Sequence, residues 1–117
     1  MAPCRDPAAA LASIAPDAVL VSWMPRGQDW TAAIRACAPV QEYVLLGVPD
    51  GCGDPYATWG VLPEDPEDYG IDPRAPPLYA REGFRRRSLP GVEAHQLGRF
   101  DTTEARFSAA VAFTRDA

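Results

Sequence analysis

Apolar positions fall into short blocks separated by proline and glycine, and the spacing within each block predicts an element. Residues 6–15, DPAAALASIA, predict a short helix: Asp6 can cap it, Pro7 suits the first helical position, and Pro16 ends it. Residues 17–23, DAVLVSW, form a continuous apolar run with two valines, the pattern of a strand buried on both faces. Met24 to Gln28 make a tight turn. Asp29 starts a second helix over 30–37, with Trp30, Ala33, Ile34 and Cys37 at helical spacing, and Pro39 breaks it. Residues 42–48, EYVLLGV, predict a second buried strand. Strand, helix and strand in this order make a βαβ unit, so the two strands are expected to be parallel.

The pattern then changes. Residues 49–76 are dense in proline, glycine and acids with little periodicity, and a loop of that length in a small domain is functional or mobile. Its first part, 51–60, holds aromatics and reads as folded down; its second part, 63–68, reads as solvated. Residues 77–87 predict a third helix, with Leu78, Tyr79 and Phe84 inward and Arg85–Arg87 at its end, where cations complement the helix dipole. Residues 92–100 and 106–115 predict two strands joined by a short connection, an antiparallel hairpin.

The chain has 117 residues, enough for a single domain over 1–117 and too few for two. Its 11 basic and 16 acidic residues give a net charge of -5, which argues against a nucleic-acid partner because such a partner needs a basic face. Every basic residue is Arg, so no Lys is present for a Schiff base or a phosphate loop. A single His disfavours a metal site built on imidazoles, and no two of Cys4, Cys37 and Cys52 stand at metal-ligand spacing. No apolar run approaches the ~20 residues of a membrane span, and residues 1–6 lack a signal-peptide layout. The expectation is a cytoplasmic protein with neither a membrane nor a metal partner, and Met1 argues mildly that the chain is whole.

The order helix, strand, helix, strand, long loop, helix, hairpin resembles the C-terminal half of the class I S-adenosylmethionine-dependent methyltransferases over residues 6–117. Residues 17–25 look like that family's fourth strand and turn, and 42–48 like its fifth. Gly83-Phe84, a following strand and a closing hairpin ending in Phe113-Thr114-Arg115 look like its usual finish. The resemblance implies an α/β fold: a truncated Rossmann-like half-sheet of four strands, two parallel plus a C-terminal antiparallel hairpin, with flanking helices. In the family a glycine-rich loop after the first strand and an acid ending the second hold the cofactor. Neither exists here; Gly51-Cys52-Gly53 is the one G-x-G and follows the wrong strand. No cofactor is therefore expected, nor a methyltransferase working alone.

Removing the family's first half leaves the 17–23 strand with an unpaired edge that carries no charge and no proline between Ala18 and Trp23. A homodimer through this edge is the expected cover; the alternatives are a separate polypeptide supplying the missing half and the N-terminal helix folding over it. Ligands of open α/β sheets bind beyond the carboxyl ends of the strands. Ser22, Trp23, Met24 and Pro25 stand there, and the long loop can bring Cys52, Tyr56 and Trp59 over the same face. These residues are the expected substrate contacts in an aromatic-lined pocket for a small organic molecule. Asp50 and Asp54 are the candidate catalytic acids or bases of a cofactor-independent isomerase, cyclase or lyase. Each feature also has a plainer reading. Trp23, Trp30 and Trp59 can be packed core, Asp29 a helix cap, Cys37 and Cys52 small packing residues, and His95 a surface or dimer-contact residue. The alternative function is a non-catalytic subunit that completes or regulates a methyltransferase through the open edge.

Overall fold

The structure, a computed structural model, describes residues 7–95, 101 and 107–116. In chain order the elements are α1 (Pro7–Ile14), β1 (Ala18–Ser22), α2 (Thr31–Ala36), β2 (Glu42–Gly47), a 3-10 turn (Pro66–Tyr69), α3 (Leu78–Arg81), β3 (Phe84–Ser88), α4 (Pro90–Glu93) and β4 (Ala109–Arg115). The fold is α/β. Its four strands form one mixed sheet in the order β1-β2-β4-β3. β1 and β2 are parallel, Ala18 opposite Glu42 and Ser22 opposite Leu46. β4 runs antiparallel to both of its neighbours.

Side chains alternate across a strand, so the register sorts them into two faces. One face sets Val21 beside Leu45 and Val111, and Tyr43 beside Phe113. It is the core, closed from above by Leu11 of α1, Ile34 of α2 and Trp59 of the long loop, all buried. Its centre is aromatic: Tyr43 stacks on Phe113 at 4.6 Å and 7°, and meets Phe84 edge-on at 5.3 Å. Each such fully buried side chain contributes roughly 1.5–3 kcal/mol through the water it leaves. Arg115 ties β4 to the helical layer. Its guanidinium lies 4.5 Å over the Phe84 ring and donates to the carbonyls of Val40, Arg35 and Cys37, satisfying acceptors at the end of α2.

The opposite face carries Leu20, Val44 and Leu46. Leu20 is 66% exposed, so at β1 this face is bare among the described residues.

Two expectations are corrected. The helix expected over 77–87 spans only Leu78–Arg81, and the arginine run lies in β3 instead of at a helix end. Gly83, at φ +89°, adopts the left-handed conformation that stops a helix, and Phe84 is then buried while Arg85 and Arg87 point out. The strand expected over 92–100 is likewise not formed in its described part. Pro90 starts α4, which Val92 and Glu93 complete, and exposed His95 follows in a turn; residues 96–100 lie outside the described residues. The antiparallel partners of β4 are β2 and β3, so the C-terminal hairpin pairs 84–88 with 109–115. The Asp6 cap lies outside the described residues.

Candidate functional site at the strand ends

The carboxyl ends of β1 and β2 are shaped by one unusual residue. Trp23 has φ +57°, a left-handed conformation that costs a bulky side chain of order 1–3 kcal/mol. Its amide still donates to the Leu46 carbonyl at 2.8 Å, so the strand is paired to its last residue and then turns sharply. The turn buries Met24, whose sulfur accepts the Trp30 amide at 3.3 Å, and leaves Trp23 44% exposed.

The loop after β2 folds back onto this turn. The amides of Gly51 and Cys52 donate to the Val48 carbonyl. Arg26 and Gly53 then form a small parallel bridge, with Gly53 donating to the Pro25 carbonyl and Gly27 to that of Gly53. Gly53 must be glycine: at φ +65° a Cβ would stand 2.5 Å from the Thr58 hydroxyl. Trp59 is buried and its indole N–H donates to the Cys52 carbonyl at 2.8 Å.

A polar cluster beneath the loop ties it to α2. The buried hydroxyl of Thr58 accepts the Asp54 amide at 2.9 Å and donates to an Asp29 oxygen at 3.0 Å. The same Asp29 oxygen accepts the amide of Thr31 at 3.0 Å and its hydroxyl. Asp29, one residue before the N-cap Trp30, therefore satisfies the first amide of α2 and fastens the loop with one carboxylate, which makes its role structural.

Two clefts remain at this end. One, of about 450 Å³, is lined by Arg26, Val48, Asp50, Gly51 and Phe107. The second, of about 390 Å³, lies within the long loop between Tyr56 and Tyr69 and includes Asp54 and Pro63. The expected site residues are thus divided. Asp50 lines the first cleft; Asp54 and Tyr56 line the second. Ser22, Trp23 and Pro25 are exposed at the strand end, and Met24, Cys52 and Trp59 are buried in the core. Asp54 also has a turn-forming task, accepting the amides of Tyr56 and Ala57 at 3.0 and 2.8 Å.

Val48 stands at the strand end where the sequence reading puts it, whereas Arg26 and Phe107 escape that reading. Arg26 sits in a stretch that reads only as a turn. Phe107 precedes β4, where Asp101 accepts the amides of Phe107 and Ser108 at 2.6 and 3.0 Å and the Ser108 hydroxyl, holding the aromatic at the rim. Phe107 is 54% exposed. The guanidinium of Arg26 makes no ion pair with any described residue, unlike Arg35 and Arg85.

The strongest electrostatic perturbation lies far from these clefts. Arg35 is buried in the core layer, donating to Tyr43 Oη and Glu82 Oε2, each at 3.2 Å. Burial works against its charge, but the Tyr43 hydroxyl and the Glu82 carboxylate outweigh it, and the Arg35 pKa is raised. Burial pushes the Tyr43 phenol up to about 12, against the opposing pull of Arg35. This cluster joins α2, β2 and the end of α3, and none of its three residues lines either cleft.

Among the described residues, no three His, Cys, Asp or Glu side chains gather as a metal set, and no helix is long and apolar enough to cross a membrane. No family model, no curated protein and no solved structure matches the chain.

Proposed function

We propose that this chain binds a small organic acid in the strand-end cleft, its anionic group held by Arg26 and its flat apolar body laid against Val48 and Phe107. The observation that carries this reading is that Arg26, whose guanidinium has no ion-pair partner among the described residues, lines a cleft of about 450 Å³ together with the exposed aromatic Phe107. Asp50, which lines the same cleft, accepts an N–H or O–H from the ligand. The strained Trp23 at this end supports it, because backbone strain in a bulky residue persists where the surroundings, often a ligand site, enforce it. Binding is favoured over catalysis. Asp50 is exposed with no hydrogen-bond partner among the described residues to orient it, and Asp54 is committed to a turn in a different cleft.

We read the sheet as the second half of a Rossmann-like methyltransferase sheet. Supporting this are the parallel β1–β2 pair joined through α2, and a closing antiparallel strand that ends in Phe113-Thr114-Arg115.

Titration of the protein with aromatic carboxylic acids, followed by tryptophan fluorescence and calorimetry, tests the binding. Saturable binding is expected for at least one acid and weaker binding for its neutral amide. Arg26→Met should weaken it about tenfold or more, the scale of a hydrogen bond to a charged group, and Phe107→Ala should weaken it through the lost apolar contact. A flat response across the panel, or unchanged affinity in Arg26→Met, would sink the reading.

A further inference from the structure

β1 is an edge strand, paired on one side only. The Asp17 carbonyl and the Trp23 amide both point toward β2, accepting from Glu42 and donating to Leu46. Backbone direction alternates along a strand, so Val19 and Val21 also turn toward β2. Ala18, Leu20 and Ser22 therefore turn their N–H and C=O groups outward, where no described residue meets them. α1 does not cover this row. It packs on α2, and residues of α1, α2 and β1, among them Ala10, Leu11, Ile34, Val19 and Val21, line an apolar groove of about 190 Å³.

From this geometry we propose that β1 pairs antiparallel with β1 of a second copy, about a two-fold axis through Leu20, making one continuous eight-stranded sheet. This goes beyond the ligand reading and does not depend on it.

The second copy is the occupant because the strand is complementary to itself in a single register. An antiparallel hydrogen-bonded pair needs outward-facing groups on both strands. Pairing Leu20 with Leu20 also sets Ala18 opposite Ser22 twice over and closes about six bonds; a shift of two residues either way closes about four. The same register places the two Leu20 side chains, each 66% exposed, together on the bare face. It brings Asp17, just before the strand in one copy, toward Trp23, just after the strand in the other. The Asp17 carboxylate and the half-exposed Trp23 indole N–H both lack a partner among the described residues, and an anionic acceptor meets a donor. Two chains of net charge -5 repel each other, and they would meet along a strand that carries no charge from Ala18 to Ser22.

The test is solution mass combined with register-specific cross-linking. Light scattering across a concentration series should give twice the 12.6 kDa chain. Leu20→Pro removes an outward amide and the paired leucine side chain but no β1–β2 hydrogen bond, so this variant should retain its circular dichroism and fall to half the mass. With Cys4 and Cys37 replaced by Ala, Leu20→Cys should oxidise to a covalent dimer, because the two Cα atoms would lie about 5.5 Å apart. Ala18→Cys alone should not cross-link, whereas Ala18→Cys mixed with Ser22→Cys should. Three outcomes overturn the proposal: a monomer throughout, a dimer unaffected by Leu20→Pro, or a monomer that pairs through β1 with a separate methyltransferase half.

Discussion

At the scale of single residues, the side chains with the most demanding surroundings serve the fold, and the ligand cleft is left with simple chemistry. Tyr43 shows this. Its phenol is fully buried and donates no charge to any cleft, yet its pKa stands at about 12, above the ordinary 10.0. The folded state therefore keeps the phenol neutral where the unfolded chain would ionise it. The stability this confers is fully present below pH 10 and is lost as pH rises through 10 toward 12. Its full size is about 2–3 kcal/mol, at 1.36 kcal/mol per pH unit. Urea unfolding across that window should show the loss in the wild type and a flatter profile in Tyr43→Phe. Equal slopes in the two proteins would contradict it. Asp29 teaches a related lesson. The sequence reading already favoured a cap, and the structure adds the second duty of holding Thr58, which lies 29 positions away.

Between elements, the decisive contacts fasten a long irregular segment to a small sheet. β3 does this through Arg86, whose guanidinium donates to the Trp59 carbonyl at 3.1 Å. Arg85 and Arg87, on the outward face of the same strand, take no part in it. Arg86→Met keeps most of the side-chain length and removes the bond, leaving a buried carbonyl short of a donor. A destabilisation of about 1–3 kcal/mol is expected, with faster proteolytic cutting in the 60–76 segment. The same change at Arg87 should do neither, and a large effect there would show that the alternation has been misassigned. The run Arg85–Arg87 also shows where propensity misleads. Arg is a good helix former and the preceding residues are helical, but Gly83 ends the helix and Phe84 finds a core to enter.

For the whole molecule, one core joins sheet, helices and the near part of the loop. Trp59 is packed against it, Trp30 partly so, and Trp23 stands at the surface. Tryptophan fluorescence and far-ultraviolet circular dichroism should therefore give coincident urea transitions. An earlier fluorescence transition would mean that the 51–60 loop opens before the sheet. The outer side of this unit is less complete than its inner side: the β1 edge lacks cover among the described residues, and the proposed two-fold pairing would supply it.

The amino-acid sequence by itself determined the parallel β1–β2 pair, both of the first two helices and the place where the long loop leaves the sheet. These follow from unbroken apolar runs and from Pro16 and Pro39, which act within a few residues of themselves. It also marked the uncharged edge of β1. The tertiary structure alone decided three matters. It made 84–88 a strand and 90–93 a helical turn, because burial of Phe84 against Tyr43 and the fit of Glu93 to the Ala110 amide depend on partners distant in the chain. It sent Trp59, Met24 and Cys52 into the core while leaving Trp23 outside. It also brought Arg26, Asp50 and Phe107 to one cleft. Local pattern reports which residues avoid water; which of several apolar or charged side chains meet is set by packing between segments, where sequence separation carries no information.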